Sequence, residues 1–311
     1  MADDSAPVDV RVRFVSASPD MTDTGPPAYV SQFADRRGRP LAMGWELQGG
    51  AHLKLVMSAG AEFTLDRAAT EISVSPHGAD ADEIFNLLVG PVLALALRLR
   101  GVIALHASAN CVNGGALAFL GPSGAGKSTL AALFALKGYQ ALTDDLVALA
   151  SEEDEWLIQS GVTYLRVRPG SIEAAAAALG RQDDLQATAD AAYLDLSFNQ
   201  HGGRPAVPLR VIYHLDSLSP DRAGTLRIDP VAGADALITL LGNTWATRWL
   251  DRSARTVEFN LLTRLSAQVA VRRVRIPGPR PAAEAIADAV LNDFHSFGTW
   301  LSTGLNHDRF D

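Results

Sequence analysis

The sequence is poor in cysteine and in positive charge. Cys111 is the one cysteine among 311 residues, which excludes an internal disulfide and a cysteine-built zinc site and favours a reducing cytoplasm as the location. The 27 lysines and arginines are outnumbered by 35 aspartates and glutamates, giving a net charge of −8. That balance argues against nonspecific nucleic-acid binding as the main activity, and we expect no nucleic-acid partner.

The sequence also lacks a long apolar run. The nearest candidate, residues 84–97, has about the length of a buried helix and is followed by Arg98 and Arg100, so no membrane span is expected. The N-terminus is acidic where a secretory signal would be basic, so no signal peptide is expected either. With 48% hydrophobic residues the chain can bury a sizeable core, in one large or two ordinary globular domains.

Residues 119–129 match the pattern of a phosphate-binding loop: glycine, four free positions, then Gly-Lys-Ser/Thr. The glycines let the backbone turn its N–H groups towards phosphate oxygens, and the next residues open a helix whose N-terminus favours anions. Lys127 is predicted to reach the β- and γ-phosphates of ATP, and Ser128 to ligate Mg²⁺. The predicted nucleotide-binding residues are Gly121, Ser123, Gly124, Ala125, Gly126, Lys127, Ser128 and Thr129.

The apolar residues on either side of this loop predict a strand before it, at 116–120, and a helix after it, at 130–136. Upstream, residues 102–109 are predicted to form a strand, followed by a polar turn at Asn113 and Gly114. The resulting hairpin would place His106 close to the nucleotide. A lone histidine in an apolar strand is more often a core residue, so this observation leaves both roles open.

A pair of carboxylates follows the next predicted strand. Residues 140–142 form a short apolar run that ends in Thr143-Asp144-Asp145, one helix after the loop. Strand ends in a parallel sheet point towards the nucleotide, and phosphoryl transfer needs one carboxylate beside the metal and another group to accept a proton. The alternative is an Asp-Asp turn that caps local structure.

The predicted fold class is α/β, with two domains. Residues 1–95 alternate apolar and polar residues in short runs, which predicts a smaller, β-rich N-terminal domain. Helical spacing begins near residue 80 and is broken at Pro91. Residues 96–311 are predicted to form the nucleotide-binding domain, with late strands at 210–215, 226–228 and 271–276 and helices at 235–241, 258–269 and 282–294.

Two arginines, Arg166 and Arg168, are the candidates for binding negative charge near this site. Their positions alternate with apolar residues, which is also the pattern of an ordinary polar strand face.

Residues 100–150 resemble the catalytic domain of bacterial HPr kinase/phosphorylase and, more distantly, ATP-dependent phosphoenolpyruvate carboxykinase. The resemblance rests on Leu-His-Ala at 105–107, the loop at 121–129, and Thr-Asp-Asp at 143–145. It implies a P-loop kinase domain of that type, with ATP and Mg²⁺ as cofactors. It further implies that Asp144 is the base, Asp145 a carboxylate on the magnesium side, and His106 their partner.

The chain departs from HPr kinases in two places. Thr129 stands where they have an acidic residue, and their downstream Glu-Ile/Val-Arg-Gly-Ile/Leu-Gly signature is absent. The chain is more similar to HPr-kinase-related serine kinases found in biosynthetic clusters for ribosomal peptides such as lasso peptides. That resemblance implies an ATP-dependent serine kinase whose target is the C-terminal serine of a precursor peptide. Arg166 and Arg168 are the candidates for receiving the terminal carboxylate of that peptide, because a planar guanidinium pairs bidentately with a carboxylate.

Two other functions stay open at this point. One is a small-molecule kinase of the shikimate type, and the other is a nucleotide-binding sensor or scaffold that transfers no phosphate. The oligomeric state is also open, a homo-oligomer included.

Overall fold

A computed structural model describes residues 9–16, 25–31, 33–152, 154–159, 164–188, 192–196, 206–217, 225–245, 249–278 and 282–304, with side chains described as far as residue 296. The structure is mixed α/β with several sheets, as predicted. Its contacts divide the chain into two compact units, one of residues 1–103 and 245–258, the other of residues 104–244 and 259–311. The predicted domain boundary between residues 95 and 96 stays a prediction.

The first unit is built on a sheet whose strands follow each other in the order β1-β6-β5-β4-β3-β2 within the described residues. β1 runs parallel to β6, and the other neighbours are antiparallel. On β4 the buried Leu53, Leu55 and Met57 alternate with half-buried residues, the period that predicted these strands. The strands are β1 Arg11–Phe14, β2 Tyr29–Val30, β3 Ala42–Leu47, β4 His52–Met57, β5 Glu62–Asp66 and β6 Glu71–Ser75.

A helical segment follows this sheet. Asp80 caps it by accepting a 2.7 Å hydrogen bond from the N–H of Glu83. Helix α1 (Ala81–Leu87) passes through a π-helical turn (Leu88–Val92) into α2 (Leu93–Leu99). The turn contains Pro91, which has no N–H to donate, so the α-helical pattern changes where the sequence predicted a kink or break, while the segment stays helical.

The second unit contains the larger sheet, in the order β10-β8-β9-β16-β12-β11-β7 within the described residues, with β18 pairing to β16 and β17 to β18. A smaller sheet has the order β13-β15-β14. The strands are β7 Ile103–Leu105, β8 Ser108–Val112, β9 Gly115–Leu120, β10 Gln140–Thr143, β11 Val147–Glu152, β12 Glu155–Gln159, β13 Tyr164–Val167, β14 Leu185–Ala187, β15 Ala192–Asp195, β16 Ala206–Leu215, β17 Arg227–Val231 and β18 Ala270–Arg275.

Strand direction brings distant parts of the sequence to one edge of this sheet. β8 is antiparallel to β9 on one side and to β10 on the other, so β9 and β10 run the same way. The loop that follows β9 and the Asp144-Asp145 pair that follows β10 therefore emerge at the same edge. β8 starts at that edge, with Ser108 opposite Phe119 near the end of β9.

The remaining helices are α3 Lys127–Leu136, α4 Glu173–Ala178, α5 Gly233–Leu241, α6 Arg252–Gln268 and α7 Ala283–Gly304. α3 is buried on nearly every side from Leu130 to Leu136, in a core shared with β9, β13, β16 and α7. In the part of the chain that the structure describes, no helix is both long and apolar enough to cross a membrane.

Two predicted elements need correction. The strand predicted over 102–109 is interrupted at His106 and Ala107, so β7 and β8 occupy separate places in the sheet. The backbone N–H of His106 instead donates to the carbonyl of Asn243. The helix predicted over 258–269 begins earlier, at Arg252.

Candidate active site

The loop between β9 and α3, Gly121–Gly126, is called the glycine-rich loop below. Gly121, Gly124 and Gly126 have φ angles of +142°, +81° and +108°, a region that favours glycine. A Cβ on Gly121 would also lie 2.6 Å from the carbonyl oxygen of Leu215. No side chain caps the N-terminus of α3. A helix N-terminus favours anions such as phosphate, because its first N–H groups have no partner within the helix.

Lys127 lies at the base of this loop and is buried. Its Nζ donates to the carbonyl oxygens of Gly121 at 2.9 Å and Pro122 at 3.4 Å. Burial lowers the pKa of Lys127, and the carboxylates of Asp145 and Asp144 oppose that shift. The ammonium group therefore lies within electrostatic reach of both predicted catalytic carboxylates.

Asp144 is half-buried among hydroxyl groups. It accepts a 2.6 Å hydrogen bond from Ser108 and a 3.1 Å bond from the N–H of Asp145. Burial, followed by the charge of Asp145, raises the pKa of Asp144 to about 6, while hydrogen bonds from Ser108 and Ser128 act in the opposite direction. Its carboxylate can therefore take up a proton near neutral pH.

Asp145 has a different environment. Its backbone is left-handed, with φ +62°, and its side chain is 60% exposed. The imidazole Nε2 of His106 lies 3.8 Å from its Oδ1. The contact with His106 is the main cause of a lowered pKa for Asp145, and the charges of Lys127 and Arg166 act in the same direction. Asp145 is therefore an ionised carboxylate facing the open side of the site.

Most of the predicted site residues line one cavity of about 610 Å³, within the usual range of ligand pockets. They are His106, Ser123, Gly124, Gly126, Lys127, Ser128, Thr129, Asp145, Arg166 and Arg168. The other three adjoin these lining residues: Asp144 is close enough to Ser128 for that hydroxyl to lower its pKa, the Gly121 carbonyl accepts from Lys127, and the N–H of Ala125 donates to Pro122. The structure thus brings every predicted site residue together.

The two arginines reach the cavity from β13. Leu165 and Val167 are buried in the core beside α3, and Arg166 and Arg168 alternate with them on the exposed side. The Arg168 guanidinium lies over the glycine-rich loop, with Nη2 only 3.1 Å from where a Cβ on Gly124 would be. Arg166 instead acts on Asp145.

The oxygen-bearing side chains at this site suit Mg²⁺ better than a metal ion whose ligands all come from the protein. Among the described residues there is no group of three or more His, Cys, Asp or Glu arranged for a metal ion. Mg²⁺ commonly takes one or two carboxylates and completes its octahedron with substrate phosphates and water. Asp144, Asp145 and the Ser128 hydroxyl supply oxygen ligands of that kind beside the loop.

Sequence reasoning missed Ser108 and Asn243. Ser108 had a usable signal, because it stands two residues after His106 and starts the strand between β9 and β10. Asn243 gave none, since it lies 122 positions from the loop. Its Oδ1 accepts from the N–H of Gly121 at 3.2 Å, and its Nδ2 donates to Thr239 at 2.8 Å. With its carbonyl bonded to His106, Asn243 connects the loop to the β7–β8 segment.

We expect Asn243→Ala to raise the KM for ATP roughly three- to tenfold, because it removes a hydrogen bond worth about 1 kcal/mol from the loop backbone. The KM for the acceptor should stay unchanged, which would separate positioning of the loop from a general loss of folding. Thr239→Val is the matched control, since that hydroxyl bonds Asp235 within α5. Steady-state kinetics check this, and an Asn243→Ala enzyme with a normal KM for ATP would contradict it.

No family model matches the chain, and no curated protein matches it. Among solved structures, the chain is similar to one described as the Hpr(Ser) kinase/phosphatase from Coxiella burnetii, with 14% identity and a TM-score of 0.36, over 66% of this chain and 99% of that chain. A likeness at this level carries no argument about fold or activity. The interpretation of the site therefore depends on its own residues.

Proposed function

We propose that the chain is an ATP-dependent kinase that transfers the γ-phosphate to a hydroxyl group of a peptide or protein. The observation that carries the proposal is the position of Asp144 and Asp145, which both lie within electrostatic reach of Lys127 at the start of α3. A nucleotide-binding loop needs no such pair merely to hold ATP. All these residues belong to the second unit and to the predicted kinase domain, 96–311.

The reaction assigns one task to each group. The acceptor oxygen attacks the γ-phosphorus, the bond to the β–γ bridging oxygen breaks, and ADP leaves with that electron pair. The hydroxyl proton moves to a carboxylate oxygen of Asp144. Lys127 and the N–H groups of the loop and of α3 hold the phosphates and oppose the negative charge that builds up on them.

The pKa directions support different roles for the two carboxylates. Asp144, with a pKa raised to about 6, is matched to proton transfer near neutral pH. Asp145, with a lowered pKa, stays ionised, as a ligand on the magnesium side must, and His106 orients it. Mg²⁺, when bound through Ser128 and Asp145, would neutralise phosphate charge. The influence of the Ser128 hydroxyl on the pKa of Asp144 also favours the reverse assignment, which mutagenesis can decide.

For the acceptor, we propose a serine at or near the C-terminus of a short ribosomal precursor peptide of the lasso type. This comes from the resemblance of the sequence motifs. The two arginines in the cavity support a chain end with a free carboxylate as the ligand. Arg166, whose charge acts on Asp145, is the candidate for the terminal carboxylate. A cytoplasmic location is part of the same proposal.

Mass spectrometry after incubation with ATP and Mg²⁺ tests the acceptor. Four acceptors would be offered: a precursor peptide with a C-terminal serine, the same peptide ending in alanine, HPr, and shikimate. We expect one added phosphate on the serine peptide and none on the alanine peptide, with HPr a poor substrate. Phosphate appearing on HPr as readily as on the peptide, or only on a small metabolite such as shikimate, would contradict this proposal. ATP binding without transfer to any acceptor would favour the sensor or scaffold.

A further inference from the structure

We infer that Arg168 is a catalytic arginine that binds the phosphoryl group during transfer and does not receive the acceptor's carboxylate. The inference rests on the proposed kinase function and divides the work of the two arginines. Arg166 binds the acceptor, and Arg168 binds the phosphates of the nucleotide.

Arg168 directly follows β13 and is held beside the cavity by the strand's packing. Leu165 and Val167 are anchored in the core that contains α3, and they are 0% and 5% exposed. Arg166, between them on the strand, is exposed, as is Arg168 after the strand ends, and both arginines line the cavity. Arg168 is thus held at the cavity by packing on the same helix that starts at Lys127.

Three atoms of the Arg168 guanidinium group lie close to Gly124 in the glycine-rich loop. From the position that a Cβ on Gly124 would occupy, its Nη2, Cζ and Nη1 lie 3.1, 3.7 and 3.9 Å away. Gly124 also has φ +81°, so both the backbone conformation and the neighbouring guanidinium favour glycine at this position. The arginine covers the middle of the loop, beside the backbone that is predicted to bind phosphate.

In this proposal the γ-phosphate lies between two positively charged side chains. Lys127 approaches from the base of the loop, and Arg168 approaches from β13. A planar guanidinium can donate two parallel N–H bonds to phosphoryl oxygens and remains protonated throughout. As the bond to the bridging oxygen breaks, those bonds strengthen without any proton leaving Arg168. An arginine supplied within the same chain plays this part in some other phosphate-loop enzymes.

Arg166 has a different electrostatic neighbour. Its positive charge acts on Asp145, the exposed carboxylate of the site. The two arginines are two residues apart, Arg166 on β13 and Arg168 directly after it, but Arg166 acts on the carboxylate and Arg168 lies against the loop. This arrangement favours one arginine for the acceptor and one for the nucleotide.

The test compares Arg168→Ala and Arg168→Lys with wild type in phosphate transfer, in binding of MgADP, and in binding of MgADP with aluminium fluoride, a mimic of the transferring phosphoryl group. We expect Arg168→Ala to lower kcat by roughly a hundredfold or more. Affinity for MgADP should change by less than about threefold, while affinity for the aluminium fluoride complex should fall with kcat. Arg168→Lys keeps the positive charge but cannot donate two parallel hydrogen bonds as a planar guanidinium does, so it should recover only part of the lost kcat.

Arg210→Ala is the control, because Arg210 pairs with Glu155 outside the cavity lining and should leave all three measurements unchanged. An Arg168→Ala enzyme with normal kcat would overturn the inference, as would one whose only defect is a raised KM for the acceptor. A wild-type protein that binds no MgADP, or transfers no phosphate, would instead overturn the proposed function itself. Melting temperatures of each variant separate these results from unfolding.

Discussion

Replacing Lys127 with alanine is expected to reduce phosphate transfer on the order of a thousandfold while the fold remains. The ammonium group contributes a charge-assisted contact to phosphates that gain negative charge during transfer. Because Lys127 is buried and its pKa is already lowered by burial, its removal relieves desolvation and should not unfold the protein. Transfer measured by mass spectrometry, with melting temperature recorded in parallel, checks both parts.

Lys127→Met is the matched variant, since methionine fills most of the same space without the charge. Both variants should fail to the same extent if the charge matters, whereas a defect only in the alanine variant would point to lost packing. Near-normal turnover in the methionine variant would remove Lys127 from the mechanism.

Asp144→Asn is expected to reduce transfer by roughly a hundredfold or more with ATP still bound, because the amide cannot accept the acceptor's proton. Wild-type transfer should rise with pH up to about 6 and level off above it, following the ionisation of Asp144. The residual activity of the variant should lack that step. Rate measurements between pH 5 and 8 check this.

The same group also affects stability. The folded-state pKa of Asp144 is raised from its ordinary 3.8 to about 6, so the folded protein binds more protons than the unfolded chain between those values. The free energy of unfolding should therefore fall as pH rises from about 4 to 6. Asp144→Asn should remove that loss and melt a few degrees higher than wild type at pH 7.

Asp145→Asn separates the two carboxylates. Because Asp145 is proposed to bind Mg²⁺, the Asp145→Asn enzyme should need a higher Mg²⁺ concentration for transfer. Its loss of activity should be smaller at saturating Mg²⁺ than at low Mg²⁺. If Asp145→Asn abolishes transfer at every Mg²⁺ concentration while Asp144→Asn mainly raises the Mg²⁺ requirement, the two roles are reversed. That result would agree with the influence of the Ser128 hydroxyl on the pKa of Asp144.

The local elements were predictable because their signals are local. The turn at Asn113 and Gly114, with φ of +50° and +82°, joins β8 and β9 as the sequence predicted. The strand before the glycine-rich loop and the helix after it were also confirmed. Their period and turn residues are short-range properties, which a single sequence displays.

The geometry of the site depends on long-range pairing, which the sequence does not display. The pattern of residues 102–109 shows an apolar run but not that His106 leaves the sheet to bond Asn243. Alternation at 164–168 is the same for a solvent-facing strand and for one that lines a cavity. Leu165 and Val167 pack beside α3, and this tertiary packing holds Arg166 and Arg168 at the cavity.

Calorimetric titration of ATP in the presence of Mg²⁺, into wild type and Lys127→Ala, tests the central claim most directly, because it needs no acceptor. We predict one site per chain with a dissociation constant below about 1 mM in the wild type. The variant should bind at least roughly tenfold more weakly, since a charge-assisted contact is worth about 1.5–3 kcal/mol. Equal affinity in the two proteins, or no binding by the wild type, would contradict the assignment of the glycine-rich loop as the nucleotide site.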